Sequence, residues 1–392
     1  MTDHQTAEAG PVPQAAPGRG TPAAPVPTAP VPTGPVPGQV ALGEDTLTIA
    51  RAWPRGRREG SEVMLVEGRD GQGRLRAARL WLRPAAGLGW QVSKVQVAPP
   101  GMDPKLPELG AVSAEGTLLV HRYGRRAVVR RADDFVKVVR PGEGATVAAA
   151  AQQGRDLALA AGLDAPTVGA VRSGSVSFGI LPGRSLHELG GVLTRSEWSR
   201  WWAIFAERWA VLARPPAPGR SQSVPDPHGP HDEVAVLRRW LDWVSRLEAL
   251  PADLHGRVAD RIETVARELT GTPAQDLVLA HRDLHDKQML AHGDSLGLLD
   301  FDTVALAEPA LDLANLWVHA RLRADQGLWS QGHSEVAQEA VREVASSLGV
   351  SDERFATYAE ATRLRLACLY AFRPRHRQLA LDWAAAEPSQ TV

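Results

Sequence analysis

The 392-residue sequence predicts a two-lobed α+β protein carrying a disordered N-terminal tail. Three observations predict it. Apolar residues alternate with period two from about residue 45 to 140, they recur at helical spacing from about 143 onward, and ten of the 30 prolines fall in the first 40 residues. A β-rich half followed by a helical half implies two packed bodies with a cleft between them. The length suits one such unit plus an extension, at roughly 150 residues per domain.

The tail comes first. The tract from Ala24 to Pro37 contains only Pro, Ala, Val, Thr and Gly. It cannot bury enough apolar surface to offset its ordering entropy, so residues 1–40 read as a disordered, polyproline-leaning segment. Strands follow at Thr46–Ala52, Glu62–Glu67 and Leu75–Leu82, the last two joined by the turn residues Gly68–Gly73. Further strands are predicted over 116–121, 126–130 and 135–139. An Ala-rich helix over 146–161 closes at Gly162. Thr194-Arg-Ser-Glu197 is a capping box opening a helix with Trp198, Trp202, Phe205, Trp209 and Leu212 on one stripe. Val234, Leu237, Leu241, Val244 and Leu247 form a second stripe, and Leu254, Val258, Ile262, Val265 and Leu269 a third. Later helices start near 308, 334 and 352. The long Pro/Gly/Ser loop from Pro215 to His231 receives no assigned role.

Composition excludes several classes. With 44 basic and 45 acidic residues the chain is near neutral, which argues against a nucleic-acid binder. The single cysteine, Cys368, rules out an internal disulfide framework and fits a reducing compartment. No apolar run approaches the ~20 residues of a membrane helix, and the N-terminus lacks an export signal, so a cytoplasmic, membrane-free protein is expected. The charge is unevenly divided. Residues 182–392 hold 23 basic and 29 acidic residues, and the first 181 residues carry the complementary net +5.

The informative stretch runs from Leu277 to Asp302. His281-Arg-Asp283 follows an apolar strand, a loop ends at Gln288, and a hairpin turning at Gly293-Asp294 delivers Asp300 17 residues after Asp283. An H-x-D triplet alone is weak, and His292-Gly-Asp294 is a second copy with nothing suitable downstream. The context makes the first copy specific. Phosphoryl transfer from ATP needs a carboxylate at the acceptor hydroxyl and oxygen ligands for Mg²⁺ at the triphosphate. A loop and its adjoining hairpin can supply both. Asp283 would orient or deprotonate the hydroxyl, Asp300 and the amide oxygen of Gln288 would hold magnesium, and Lys137 would offset phosphate charge.

These residues resemble the aminoglycoside phosphotransferase family, a branch of the protein-kinase-like fold, over roughly residues 113–392. His281-Arg-Asp-Leu-His-Asp-Lys-Gln288 is similar to its catalytic loop, Leu299-Asp-Phe-Asp302 to its magnesium-binding segment, and Glu308-Pro-Ala-Leu-Asp312-Leu-Ala to a segment whose second Asp braces the loop. The resemblance implies that Phe135-Val-Lys137 bears the phosphate-binding lysine, and that Phe178, Gly179, Ile180 and Leu181 form the interlobe hinge whose backbone meets adenine. Lys137 is one of only four lysines in the chain. On this reading residues 41–112 are a β-rich extension of unassigned role, 113–181 the ATP-binding lobe and 182–392 the helical lobe.

The sequence departs from the family pattern in three places. Gln288 replaces the usual Asn, as it does in maltokinase-like relatives. The helix after Lys137 offers Gln152 and Gln153 where a lysine-pairing Glu is expected. Asp302 stands where protein kinases have Gly. His121–Arg126, with its single Gly124, reads equally as a phosphate-covering loop or a plain hairpin turn. His285 and Asp286 read as solvated loop positions, Lys287 as a solvated or phosphate-facing one, and Cys368 as a small core residue. The expected activity is ATP- and Mg-dependent phosphorylation of a small-molecule hydroxyl on an aminoglycoside, sugar, amino alcohol or natural product. The rival reading is a pseudokinase that senses nucleotide or acts as a scaffold. The absent Glu and single-Gly loop favour it, and the retained Lys137, Asp283 and Asp300 oppose it.

Overall fold

The computed structural model describes residues 34–85, 89–214, 225–272 and 274–387. It begins with an antiparallel sheet of β1 (Gln39–Leu42), β2 (Asp45–Arg58), β3 (Ser61–Arg69), β4 (Leu75–Ala85) and β5 (Gly89–Val97), paired in chain order. The Gly68–Gly73 turn forms as expected: the Asp70 carboxylate accepts the N–H groups of Gln72 at 3.1 Å and Arg74 at 2.9 Å. Most of the predicted tail, residues 1–33, lies outside the described residues. Its last part departs from the expectation, because Val36 is buried and β1 already begins at Gln39.

Strand side chains alternate between faces, so this sheet has two apolar sides. Leu47, Ile49, Met64, Val66 and Leu80 join the main core shared with the helices. Trp53, Leu65 and Ala77 form a separate cluster with Tyr123 of the next sheet. Polar contacts follow the same division. The N–H of His121 donates to Glu67 at 2.7 Å, whereas Arg246 of the helical lobe pairs with Glu62 and Arg373 donates to the Ala52 carbonyl at 3.1 Å. One sheet is therefore packed against both lobes.

α1 (Leu109–Ala114) leads into the second sheet: β6 (Thr117–Arg122), β7 (Arg126–Arg130) and β8 (Asp134–Val138), then α2 (Gly144–Ala160), β9 (Val168–Val171) and β10 (Ser175–Gly179). The order is β6-β7-β8-β10-β9, all antiparallel. Its small core joins Ala127, Val129, Val136 and Val138 to Leu106, Leu109 and Val112. The apolar residues Leu106, Leu109 and Val112, which precede residue 113, thus close one face of this sheet.

The helical lobe contains β11 (Arg184–Ser185), α3 (Leu186–Leu189), α4 (Arg195–Leu212), α5 (Pro230–Arg246), α6 (Ala252–Gly271), β12 (Val278–Ala280), β13 (Met289–His292), β14 (Ser295–Leu298), β15 (Ala305–Ala307), α7 (Pro309–Asp325), α8 (Gln331–Ser347), α9 (Asp352–Tyr370) and α10 (Arg377–Ala385). The Thr194 capping box is formed, with both reciprocal bonds to Glu197. Its helix buries Trp198 and Trp202 edge-on at 5.5 Å between ring centres, and Trp198 meets Trp329 at 4.9 Å. Of the Pro215–His231 loop, residues 215–224 lie outside the described residues. The part that follows runs beside β15, where Leu306 donates to Asp226 at 3.0 Å and His228 to Leu306 at 2.7 Å. Among the described residues no helix is long and apolar enough to cross a membrane.

α2 is fitted to the site through Gly154. A Cβ there would lie 2.2 Å from the ring of Phe301, between Asp300 and Asp302. Helix propensity alone favours Ala over Gly by about 1 kcal/mol. At this position the steric cost of overpacking, about 1–3 kcal/mol, should exceed that gain. Gly154→Ala should therefore lower the midpoint of thermal unfolding measured by circular dichroism, and an unchanged or raised midpoint would contradict the packing described.

Candidate active site

The loop between β12 and β13 is held from below by α7. The Asp312 carboxylate accepts the N–H of His281 at 2.5 Å and of Arg282 at 2.8 Å. Burial pushes its carboxyl above the usual range, although the two amides and nearby His281 favour the anion. Asn315, one turn further, donates to the Leu284 carbonyl at 2.8 Å. The constraint sets Arg282 in the left-handed region, φ 65°, and places Asp283 next in the chain, buried within the loop. The brace expected of Asp312 is thus visible atom by atom.

The hairpin β13–β14 returns the chain beside this loop. Leu299 N–H donates to the Gln288 carbonyl at 2.9 Å, and the Leu299 carbonyl lies 2.7 Å from His281 Nε2. Asp300 follows in a left-handed conformation, φ 61°, turning its carboxylate toward the other lobe. There Lys137 Nζ of β8 donates to Asp300 Oδ1 at 3.0 Å and also pairs with Asp302. Arg126, at the start of β7, reaches Asp302 Oδ2 at 3.4 Å. Burial opposes charge on Asp300, but Lys137 and Arg126 outweigh it and hold the carboxyl well below its ordinary value. Lys137 is the converse case: burial disfavours the cation, and the two aspartates raise its pKa nonetheless. Both stay ionised through neutral pH.

Strand β10 pairs with β8, so Val176 sits opposite Lys137 and Phe178 opposite Phe135. Gly179 N–H donates to Thr167 at 2.9 Å, Ile180 is exposed, and Leu181 packs onto β14 where Gly297 leaves room for it. The segment 178–181 therefore spans from the strand beside Lys137 to the hairpin that delivers Asp300.

Residues 111–345 match the phosphotransferase enzyme family, APH. The chain belongs to that family. No curated protein matches it in sequence. Among solved structures it is similar to the aminoglycoside phosphotransferase APH(3'')-Id from Streptomyces rimosus, at 20% identity over 67% of this chain and 99% of that one, TM-score 0.45. It is also similar to a choline/ethanolamine kinase family protein from Mesorhizobium loti, at 20% identity over 72% and 85% of the two chains, TM-score 0.44. A glucosamine kinase shares 17% identity over 87% and 90%, TM-score 0.40.

Three features of this phosphotransferase bear on the sequence expectations, and the last corrects one. Lys137 has no glutamate partner on α2, where Gln152 is exposed and bonds Asp156; its countercharges come from Asp300 and Asp302 instead. The Gly124 hairpin is pinned, with its N–H donating to Asp103 at 2.6 Å and Tyr123 buried against the first sheet. His285 and Asp286 are not solvated: both are fully buried. Asp286 accepts two bonds from Arg323 of α7, at 2.8 and 2.9 Å, and lies 2.7 Å from His187 Nδ1 of α3. Burial disfavours its charge, yet Arg323 and His187 hold the carboxyl well below its usual range. No local signal marked this residue, because its partners lie 37 and 99 positions away.

Removing Asp286 leaves Arg323 buried without its countercharge, a change that costs about 3–5 kcal/mol. Asp286→Asn should lower the free energy of unfolding by that amount at neutral pH. The folded-state pKa is depressed, so the contribution is present above the unfolded value and is lost as pH falls through the folded one. The gap between wild type and variant should accordingly narrow below about pH 4 in urea denaturation series. A pH-independent gap, or none, would contradict the assigned pair.

Proposed function

We propose that this phosphotransferase is an ATP- and Mg²⁺-dependent kinase acting on a small-molecule hydroxyl. The observation that carries the reading is the convergence of Lys137 on Asp300 across the cleft, beside a loop that Asp312 fixes around Asp283. The metal's ligand set suits the reading. Mg²⁺ is ordinarily held by one or two carboxylates plus substrate phosphates and water, not by an all-protein cage. Among the described residues no cluster of three or more acidic, His or Cys side chains could hold a metal alone, which agrees with that mode. Gln288 supports it further: its side chain is buried and its Nε2 has no hydrogen-bond partner, so the amide is not consumed by the fold.

In this reading Asp300 and the Gln288 amide oxygen would hold the metal, and the backbone of Phe178, Gly179, Ile180 and Leu181 would meet the base. Bound Mg-ATP supplies the transferable phosphoryl group and neutralises its charge. Asp283 accepts the hydrogen bond of the acceptor hydroxyl, orients its oxygen and takes its proton as the new O–P bond forms and the bond from the γ-phosphorus to the bridging oxygen breaks, releasing ADP. Lys137, ionised in its buried site, offers its ammonium to phosphate oxygens. The acceptor class stays as the family implies: aminoglycoside, sugar, amino alcohol or other hydroxylated compound. A pseudokinase would lack no countercharge at Lys137 either, but it would not need Asp283 held so closely.

Asp283→Asn should reduce phosphate transfer, assayed over a panel of aminoglycosides, sugars and amino alcohols, by a factor of about 10²–10⁴. Nucleotide-induced thermal stabilisation in the presence of Mg²⁺ should survive in the same variant. Transfer that continues unchanged would remove Asp283 from the mechanism, and absence of transfer in the wild type across the panel, with nucleotide still bound, would favour the pseudokinase.

A further inference from the structure

A polar cavity adjoins the loop that carries Asp283. Its volume is about 480 Å³, and its walls come from α2, the strand-like segment before α5, the first turns of α5 and residues 302–305. Arg282 and Arg239 both line it. The guanidinium of Arg282 is largely buried, and its Nε is sealed from solvent with no hydrogen-bond partner. Neither Arg282 nor Arg239 has a side-chain hydrogen bond or ion pair among the described residues. Burial depresses the Arg282 pKa, and the acids around it only partly offset this. Arginine is effectively always charged in proteins. The fold therefore holds the Nε–H of Arg282 out of water with no acceptor, an arrangement that buried polar groups avoid unless a ligand completes it.

The acids nearby do not fill that role. Glu233 is bound to His228 at 2.5 Å. Asp232 caps the Gly229 N–H at 2.8 Å. Asp302 is engaged by Lys137 and Arg126. Asp226 is exposed, where solvent and salt screen its field. Two half-buried guanidiniums facing one cavity match the planar, multi-oxygen geometry of a phosphate group better than that of any neutral ligand.

We infer that this cavity is a phosphate-binding site, separate from the nucleotide cleft, in which Arg282 and Arg239 together hold a dianionic phosphate, either free or carried by a small phosphorylated metabolite. The site adjoins catalysis through one residue. Arg282 precedes Asp283, and its own N–H is fixed by Asp312. Occupancy would anchor the side chain of a residue whose backbone shapes the catalytic loop, so a bound phosphate has a short physical route to Asp283. The site does not depend on the activity proposed above, since its existence is read from binding alone.

The test is isothermal titration of the full chain, without nucleotide, with inorganic phosphate at fixed ionic strength, followed by a phosphorylated sugar as the second probe. Wild type, Arg239→Gln, Arg282→Gln and Lys137→Met are compared, with circular dichroism verifying that each is folded. Phosphate binding should weaken at least tenfold in Arg239→Gln and in Arg282→Gln, and persist in Lys137→Met. A tighter affinity for the phosphorylated sugar than for inorganic phosphate, lost in the same two variants, would identify the metabolite as the source, and equal affinity would identify the free ion. Should Arg282→Gln fail to fold, Arg239→Gln against Arg239→Lys decides, the lysine variant retaining at least part of the binding. Loss of phosphate binding in Lys137→Met with retention in Arg239→Gln would place the ion in the nucleotide cleft and overturn the inference, as would the absence of phosphate binding in the wild type.

Discussion

The ion pair between Lys137 and the Asp300–Asp302 carboxylates is the constraint on which the site depends. It joins residues 163 positions apart, one on a strand of the β-rich lobe and one at the end of a hairpin in the helical lobe. Burial disfavours the charge on each partner, and each favours the charged form of the other. The cleft is thus electrostatically closed on itself. A lysine and a carboxylate held this way are preorganised, since the cost of desolvating them is met at folding.

Around that pair the helical lobe is built to keep a loop still. α7 is buried nearly all round and contributes Asp312, Asn315 and Arg323 to the loop at three successive levels. Each removes a degree of freedom from a segment that contains no regular structure of its own. The left-handed residues Arg282 and Asp300 are the points where this bracing bends the backbone away from strand geometry. The first sheet adds a third body, whose two apolar faces are divided between the lobes, one in the main core and one against Tyr123.

Much of this was legible in one dimension. The strands from 46 to 139 and the stripes of α4 to α6 followed from periodicity, because a face buried against a neighbour repeats with the element's own pitch. The loop before β13 and the hairpin that brings Asp300 beside it were legible because they are close in sequence and separated by turns with distinct chemistry. β1, β5, α1, β9, β11, α3, β15 and α10 were not predicted. β5 is an edge strand whose apolar residues Trp90, Val92, Val95 and Val97 are put out of step by a register shift, and the others are short, so none carries an unbroken apolar repeat. Asp286 was misread as solvated for a related reason: a charged residue in a loop looks the same in sequence whether it faces water or a buried arginine.

The sequence by itself determined the fold class and the family, since these depend on local pattern and spacing. Only the tertiary structure decided which charges meet. It substituted Asp300 and Asp302 for the missing glutamate beside Lys137, buried Asp286 between Arg323 and His187, packed one sheet against both lobes and left the side chains of Arg282 and Arg239 lining one cavity without ion pairs among the described residues. The physical reason is range. Burial and pairing of a charge are set by residues tens to hundreds of positions away, and their energies appear only when the chain has brought those residues within a few ångströms.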